Sequence, residues 1–141
     1  MNRTRTLVLF ATLLAGCAAA PPDPAMLDGV IARWQAVWND GDQAALVALY
    51  HPDNELRRAY QSDEQARGQI EAEFKKLRDT WGSITSYERG VYIERTGRYV
   101  VKLTYDKKGM VPATFGLAKC GDAWLVVGFN IDGQGEPELQ E

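Results

Sequence analysis

Histidine occurs once in the 141 residues, at His51, and cysteine twice, at Cys17 and Cys120. A single imidazole cannot build a histidine-based metal site, which needs several such ligands converging. Clustered positive charge is missing as well: the net charge is −3 and no basic run follows Arg3 and Arg5. Nucleic acid and acidic lipid surfaces are therefore poor partners, because clustered cations hold both. No bilayer-spanning run is evident. The apolar stretch from Leu7 to Ala20 is about 14 residues, short of the ~20 a helix needs to span a bilayer. Asp, Glu and His are absent from residues 99–105, 111–119 and 123–131, the most strand-like runs in the chain. A general base on those strands is excluded, which weighs against acid–base catalysis in a sheet-lined pocket.

What is present is a region of alternating apolar residues from about Val91 to Ile131. Tyr99, Val101, Leu103 and Tyr105 fall on one face of one run, and Val111, Phe115 and Leu117 on one face of the next. The last run, Ala123-Trp124-Leu125-Val126-Val127-Gly128-Phe129-Asn130-Ile131, is apolar on both faces, as suits a strand covered on both sides. Thr96-Gly97, Lys107-Lys108-Gly109 and Cys120-Gly121-Asp122 supply the turns. A preceding run from Ile84 to Arg95 gives the first strand, with Gly90 marking a bulge. The expected sheet is thus an antiparallel meander of about four strands.

Helical patterns lie before it. Asp23 caps a helix with Pro24 in its first position, and Leu27, Val30, Ile31, Trp34, Val37 and Trp38 mark its apolar face. Asn39-Asp40-Gly41 ends it, and Asp42 caps a short second helix through Leu46, Leu49 and Tyr50 that stops before Pro52. Leu56 and Tyr60 favour a further helical turn. Ser62-Asp63-Glu64-Gln65 reads as a capping box for a long helix carrying Ala66, Ile70, Phe74, Leu77 and Trp81, closed by Gly82. Its charged face reads as solvated, with Glu71 and Lys75 paired at i, i+4. The fold class is α+β, N-terminal helices packed on a curved antiparallel sheet.

The N-terminus reads as an export signal: Arg3 and Arg5, a short apolar core, then Ala15 and Gly16. Leu14-Ala15-Gly16-Cys17 resembles the lipobox of bacterial lipoproteins. That resemblance implies cleavage before Cys17 and acylation of Cys17, so that the chain is anchored to a membrane by its lipid. Ala18 after the cysteine, rather than Asp, implies the outer membrane facing the periplasm if the cell is Gram-negative. The expected organisation is a signal peptide at 1–16, the lipidated cysteine and a proline-rich tether at 17–24, one domain at 25–132 and a flexible acidic tail at 133–141.

Helices followed by a meander, together with Trp38-Asn39-Asp40-Gly41-Asp42-Gln43-Ala44-Ala45-Leu46 and the closing run from Cys120 to Ile131, resemble the nuclear-transport-factor-2-like superfamily, also called cystatin-like or SnoaL-like. The likeness is greatest to exported bacterial members. The chain departs from the superfamily's enzymes in having no obvious strand between Pro52 and Tyr60. The resemblance implies a cone whose helices close over the concave side of the sheet and leave a pocket. Such a fold hosts isomerases, dehydratases, hydrolases and binding modules alike.

Tyr99 and Tyr105 are the candidate pocket-lining residues, as inward aromatic groups with polar tips. No catalytic residue, metal or cofactor is expected. A His51–Asp53 pair and the acids Glu88 and Glu94 are weaker candidates, and Asp40, Asp42, Asp106, Asp122 and Asp132 read as turn or cap residues. Cys120, unpaired once Cys17 is modified, reads as a hairpin-turn residue, with a bond between chains as the alternative. The functional expectation is a membrane-anchored, non-catalytic domain that binds a small apolar ligand or a protein partner, with a homodimer through the sheet as one form of the latter. The alternative is a cone-pocket enzyme: an isomerase, dehydratase or hydrolase.

Overall fold

The structure of the protein, a computed structural model, describes residues 21–131. The expected signal peptide, Cys17 and the residues beyond Ile131 lie outside the described residues. Four helices, α1 (Pro24–Asp40), α2 (Gln43–Ala48), α3 (Glu55–Ser62) and α4 (Glu64–Trp81), precede four strands, β1 (Ile84–Ile93), β2 (Arg98–Tyr105), β3 (Gly109–Cys120) and β4 (Ala123–Ile131). The strands pair antiparallel in chain order, so the α+β class and the meander stand as expected.

Local chemistry fixes the helix ends. The Asp23 carboxylate accepts from the Met26 amide at 2.8 Å, and Gly41 closes α1 in the left-handed region at φ 72°. Asp42 caps α2 through the Ala45 amide at 3.0 Å. Asn54 caps α3, so residues after Pro52 form helix rather than strand. The long helix begins one residue later than the capping box implied. Asp63 accepts from the Gln65 and Ala66 amides, while the Ser62 hydroxyl donates back to the Arg58 carbonyl within α3. The expected Glu71–Lys75 pair does not form: Lys75 meets Asp79 at 2.7 Å, and Glu71 instead accepts from the Tyr60 hydroxyl at 2.7 Å.

The core lies between α1 and the inner face of the sheet, where Trp34, Tyr99, Leu103 and Phe115 are fully buried. The side chain of Asn39 fastens α1 to β1, donating to the Ile84 carbonyl at 2.9 Å and accepting from the Ile84 amide at 2.7 Å. Beside it, the Trp38 indole donates to the Gly82 carbonyl at 3.0 Å. Gly90 sits at a register shift between Glu88 and Val91, where a Cβ would lie 1.7 Å from the Val100 carbonyl oxygen. Only glycine fits there.

A second register shift shapes β4. Gly116 faces Gly128 and Leu117 faces Val126, so Val127 is an extra residue with no partner across the ladder. Strand alternation has period two, so one extra residue reverses which side chains point inward. Trp124 and Val126 face the core before the bulge, and Phe129 and Ile131 face it afterwards, opposite Phe115 and Ala113. Val127 itself lies over Gly116 on the outer face, where a Cβ on Gly116 would come within 2.8 Å of it. The apolar character of both halves of the alternation in β4 thus reflects, in large part, this change of phase. Val91, Ile93 and Met110 are the apolar groups left exposed on the outer face.

Candidate functional site

The helices do not close fully on the sheet at the end where α3 and α4 meet β4. There Tyr50, Leu56, Ile70, Phe74, Leu77 and Phe129 line an open cavity of about 330 Å³, with Gln69 and Glu73 at its rim. Its parts come from four places in the chain. The α4 stripe contributes Ile70, Phe74 and Leu77 on one face at spacings of three and four. The α3 helix contributes Leu56, and the bulge in β4 turns Phe129 inward. Gln69 and Glu73, one helical turn apart on α4, are solvent-exposed and mark the mouth.

Tyr50 enters from the loop after α2, and that loop is tightly held. The His51 amide donates to the Val126 carbonyl at 2.7 Å, and the Val126 amide donates to the Leu49 carbonyl at 2.9 Å. These bonds make a parallel bridge between Tyr50 and Val126, the only strand-like pairing in this stretch among the described residues. Arg57 donates to the Tyr50 carbonyl at 2.5 Å, and the Asn54 side-chain amide donates to the Val127 carbonyl freed by the bulge, at 2.9 Å. The bulge therefore both aims Phe129 and moors the loop that carries Tyr50. The Trp34 ring backs both residues, 5.8 Å from Tyr50 and 4.7 Å from Phe129.

On the far wall, α3 and α4 are locked through Tyr60. Its hydroxyl donates to Glu71, its carbonyl accepts from Arg67 at 2.9 Å, and the Arg67 guanidinium lies 5.5 Å from its ring centre. Desolvation, reinforced by the Glu71 carboxylate, holds the Tyr60 phenol above its ordinary pKa.

The residues singled out from the sequence lie elsewhere. Tyr99 and Tyr105 are fully buried in the core and are not among the lining residues. Tyr105 packs against Trp38 and Trp81, and its hydroxyl is buried without a hydrogen-bond partner. Inward alternation was sufficient to place them on the concave face, but α1 covers that part of the sheet. The opening lies under α3 and α4. His51 accepts the Asp53 amide on Nδ1 at 3.1 Å, a loop-closing bond, and Asp53 is largely exposed. Glu88 pairs across the ladder with Lys102 on the outer face, and Glu94 follows β1 on the surface. No group of three or more potential metal ligands occurs among the described residues.

Sequence reading missed the lining residues Tyr50, Leu56 and Glu73 as site residues, and it missed one polar cluster on α1. Asp28 accepts from both the Tyr87 hydroxyl and the Arg89 guanidinium of β1. The Arg89 bond, then the Tyr87 bond, hold the Asp28 carboxyl below its ordinary pKa. Burial, with the bond to Asp28 second, pushes the Tyr87 phenol up to about 12. The cluster joins α1 to β1 away from the cavity, and it reads as a fastening.

No protein-family model matches the chain, and no curated protein matches it. The cavity's own chemistry therefore carries the functional argument.

Proposed function

We propose that the domain is a non-catalytic binding module of the nuclear-transport-factor-2-like kind, which takes a small apolar ligand into the cavity between α3, α4 and β4. The observation that carries this reading is the cavity itself: about 330 Å³, walled by aliphatic and aromatic side chains. That volume is about twice that of an apolar cavity known to take up benzene, ~150 Å³, and it falls in the range of small-ligand sites. The lining composition supports binding over catalysis. Its single carboxylate, Glu73, sits exposed at the mouth, whereas a general base tuned toward neutral pH needs desolvation. The same proposal places the module on a membrane through an acylated Cys17.

Filling the cavity tests the reading. Leu77→Trp places an indole in the space from a half-buried position on α4. Wild-type protein is expected to bind an apolar aromatic such as 2-ethylnaphthalene, read by calorimetric titration. Leu77→Trp is expected to abolish that binding while keeping the wild-type far-ultraviolet circular dichroism. Equal binding by both proteins would place the ligand elsewhere and remove the proposal.

A further inference from the structure

Tyr50 is the one buried polar side chain that lines the cavity, and it is only 5% exposed. Its hydroxyl has no hydrogen-bond partner among the described residues. Burial pushes its phenol pKa well up, so the group stays a neutral donor at any physiological pH. A hydroxyl in an otherwise apolar wall that bonds to no protein group is left to water or to a ligand, and the wall would have been served equally well by phenylalanine. The backbone around it is held on both sides, by Arg57 on its carbonyl and by the bridge to Val126. The residue is thus held in place at the cavity wall.

Charge narrows the ligand further. No cationic side chain is among the residues lining the cavity, and the Arg57 guanidinium beside Tyr50 spends one nitrogen on the Tyr50 and Ala48 carbonyls. An anionic ligand would lose its hydration without gaining a counter-ion, and it would have to pass Glu73 at the mouth.

Resting on the cavity as a ligand site, we propose that Tyr50 is its specificity-determining residue. The ligand it selects is an uncharged apolar molecule of about a dozen non-hydrogen atoms carrying one oxygen acceptor, such as a ketone, ester or ether. The phenol donates to that oxygen while the rest of the molecule fills the space between Leu56, Ile70, Leu77 and Phe129.

Four naphthalenes of nearly equal size test this on the full-length protein and on Tyr50→Phe: 2-acetylnaphthalene, 2-ethylnaphthalene, 2-naphthoate and 2-(aminomethyl)naphthalene. For wild type, the ketone is expected to bind about 3–10-fold more tightly than the hydrocarbon, the worth of one net hydrogen bond. The naphthoate is expected to bind more weakly than either. Tyr50→Phe should lose the ketone's advantage and keep the hydrocarbon's affinity. The infrared carbonyl stretch of the bound ketone should be lowered in wild type and not in Tyr50→Phe. Equal binding of ketone and hydrocarbon by wild type, or an advantage that survives Tyr50→Phe, would overturn the role of Tyr50 and leave the cavity reading intact. Tighter binding of the amine than of the ketone would assign selection to Glu73 instead. Binding of neither neutral probe, as when the chain's own residues fill the space, would overturn the cavity reading together with this one.

Discussion

Tyrosine hydroxyls in this protein meet three different fates. Those of Tyr60 and Tyr87 are bonded to carboxylates, that of Tyr105 is buried in the core without a partner, and Tyr50 lines the cavity. These four phenols, with those of Tyr92 and Tyr99, are held above their ordinary pKa, chiefly by burial. In the unfolded chain a phenol ionises near ~10. In the folded protein Tyr87 stays neutral up to about 12. Its contribution to stability is therefore complete below ~10 and is lost as pH rises from there toward about 12. The urea midpoint is expected to fall steeply above pH ~10, and Tyr87→Phe should reduce that fall. An unchanged alkaline slope in Tyr87→Phe would show that the raised Tyr87 phenol does not contribute to it. Asp28 acts in the opposite sense: its carboxyl is held low, so its contribution is present above ~3.9 and is lost as acid protonates it in the folded state.

Among the elements, β4 separates what the sequence discloses from what it conceals. The helix caps at Asp23 and Asp42 and the inward set Tyr99, Val101, Leu103 and Tyr105 were legible, because a cap or a period-two pattern is a local signal. The bulge at Val127 was not. Val126 and Val127 are chemically alike, and which of them is the unpaired residue depends on the register with β3. For the same reason the cavity could not be placed. Its walls come from residues up to 79 positions apart, Tyr50 and Phe129, and their meeting is a matter of tertiary geometry. Deleting Val127 removes the extra residue but leaves Phe129 and Ile131 in the inward phase of a straightened ladder, so the core is expected to survive. The cost is the Val127 carbonyl that accepts from the Asn54 side chain, about 0.5–1.5 kcal/mol. Val127→Ala, which keeps the extra residue and its carbonyl and trims only a half-buried outer side chain, should melt close to wild type. A deletion that costs far more than one hydrogen bond in urea melts would show that the bulge itself is needed to seat β4.

At the scale of the whole molecule, the fold is expected to be complete without the N-terminal segment. Asp23 caps α1 with its own carboxylate, and the described core residues all follow it. Under the proposed anchoring, Cys17→Ser should move the protein from the membrane fraction to the soluble fraction, because each buried CH₂ of an acyl chain contributes about 0.8 kcal/mol to the anchor. A chain beginning at Pro22 should unfold at the wild-type urea concentration. Wild-type protein in the soluble fraction, or an unmodified Cys17 by mass spectrometry, would remove the anchoring.

The clasp of Asn39 on Ile84 bears on crowding. With strand order β1-β2-β3-β4, the sheet has two open flanks whose free amides and carbonyls invite pairing with another chain. Asn39 occupies both backbone groups of Ile84 on one flank. On the other, Leu49, His51 and Asn54 occupy those of Val126 and Val127. Held on a surface as proposed, the domain would meet its own copies constantly, and the helical half of the chain blocks edge-to-edge pairing at Ile84 on one flank and at Val126 and Val127 on the other.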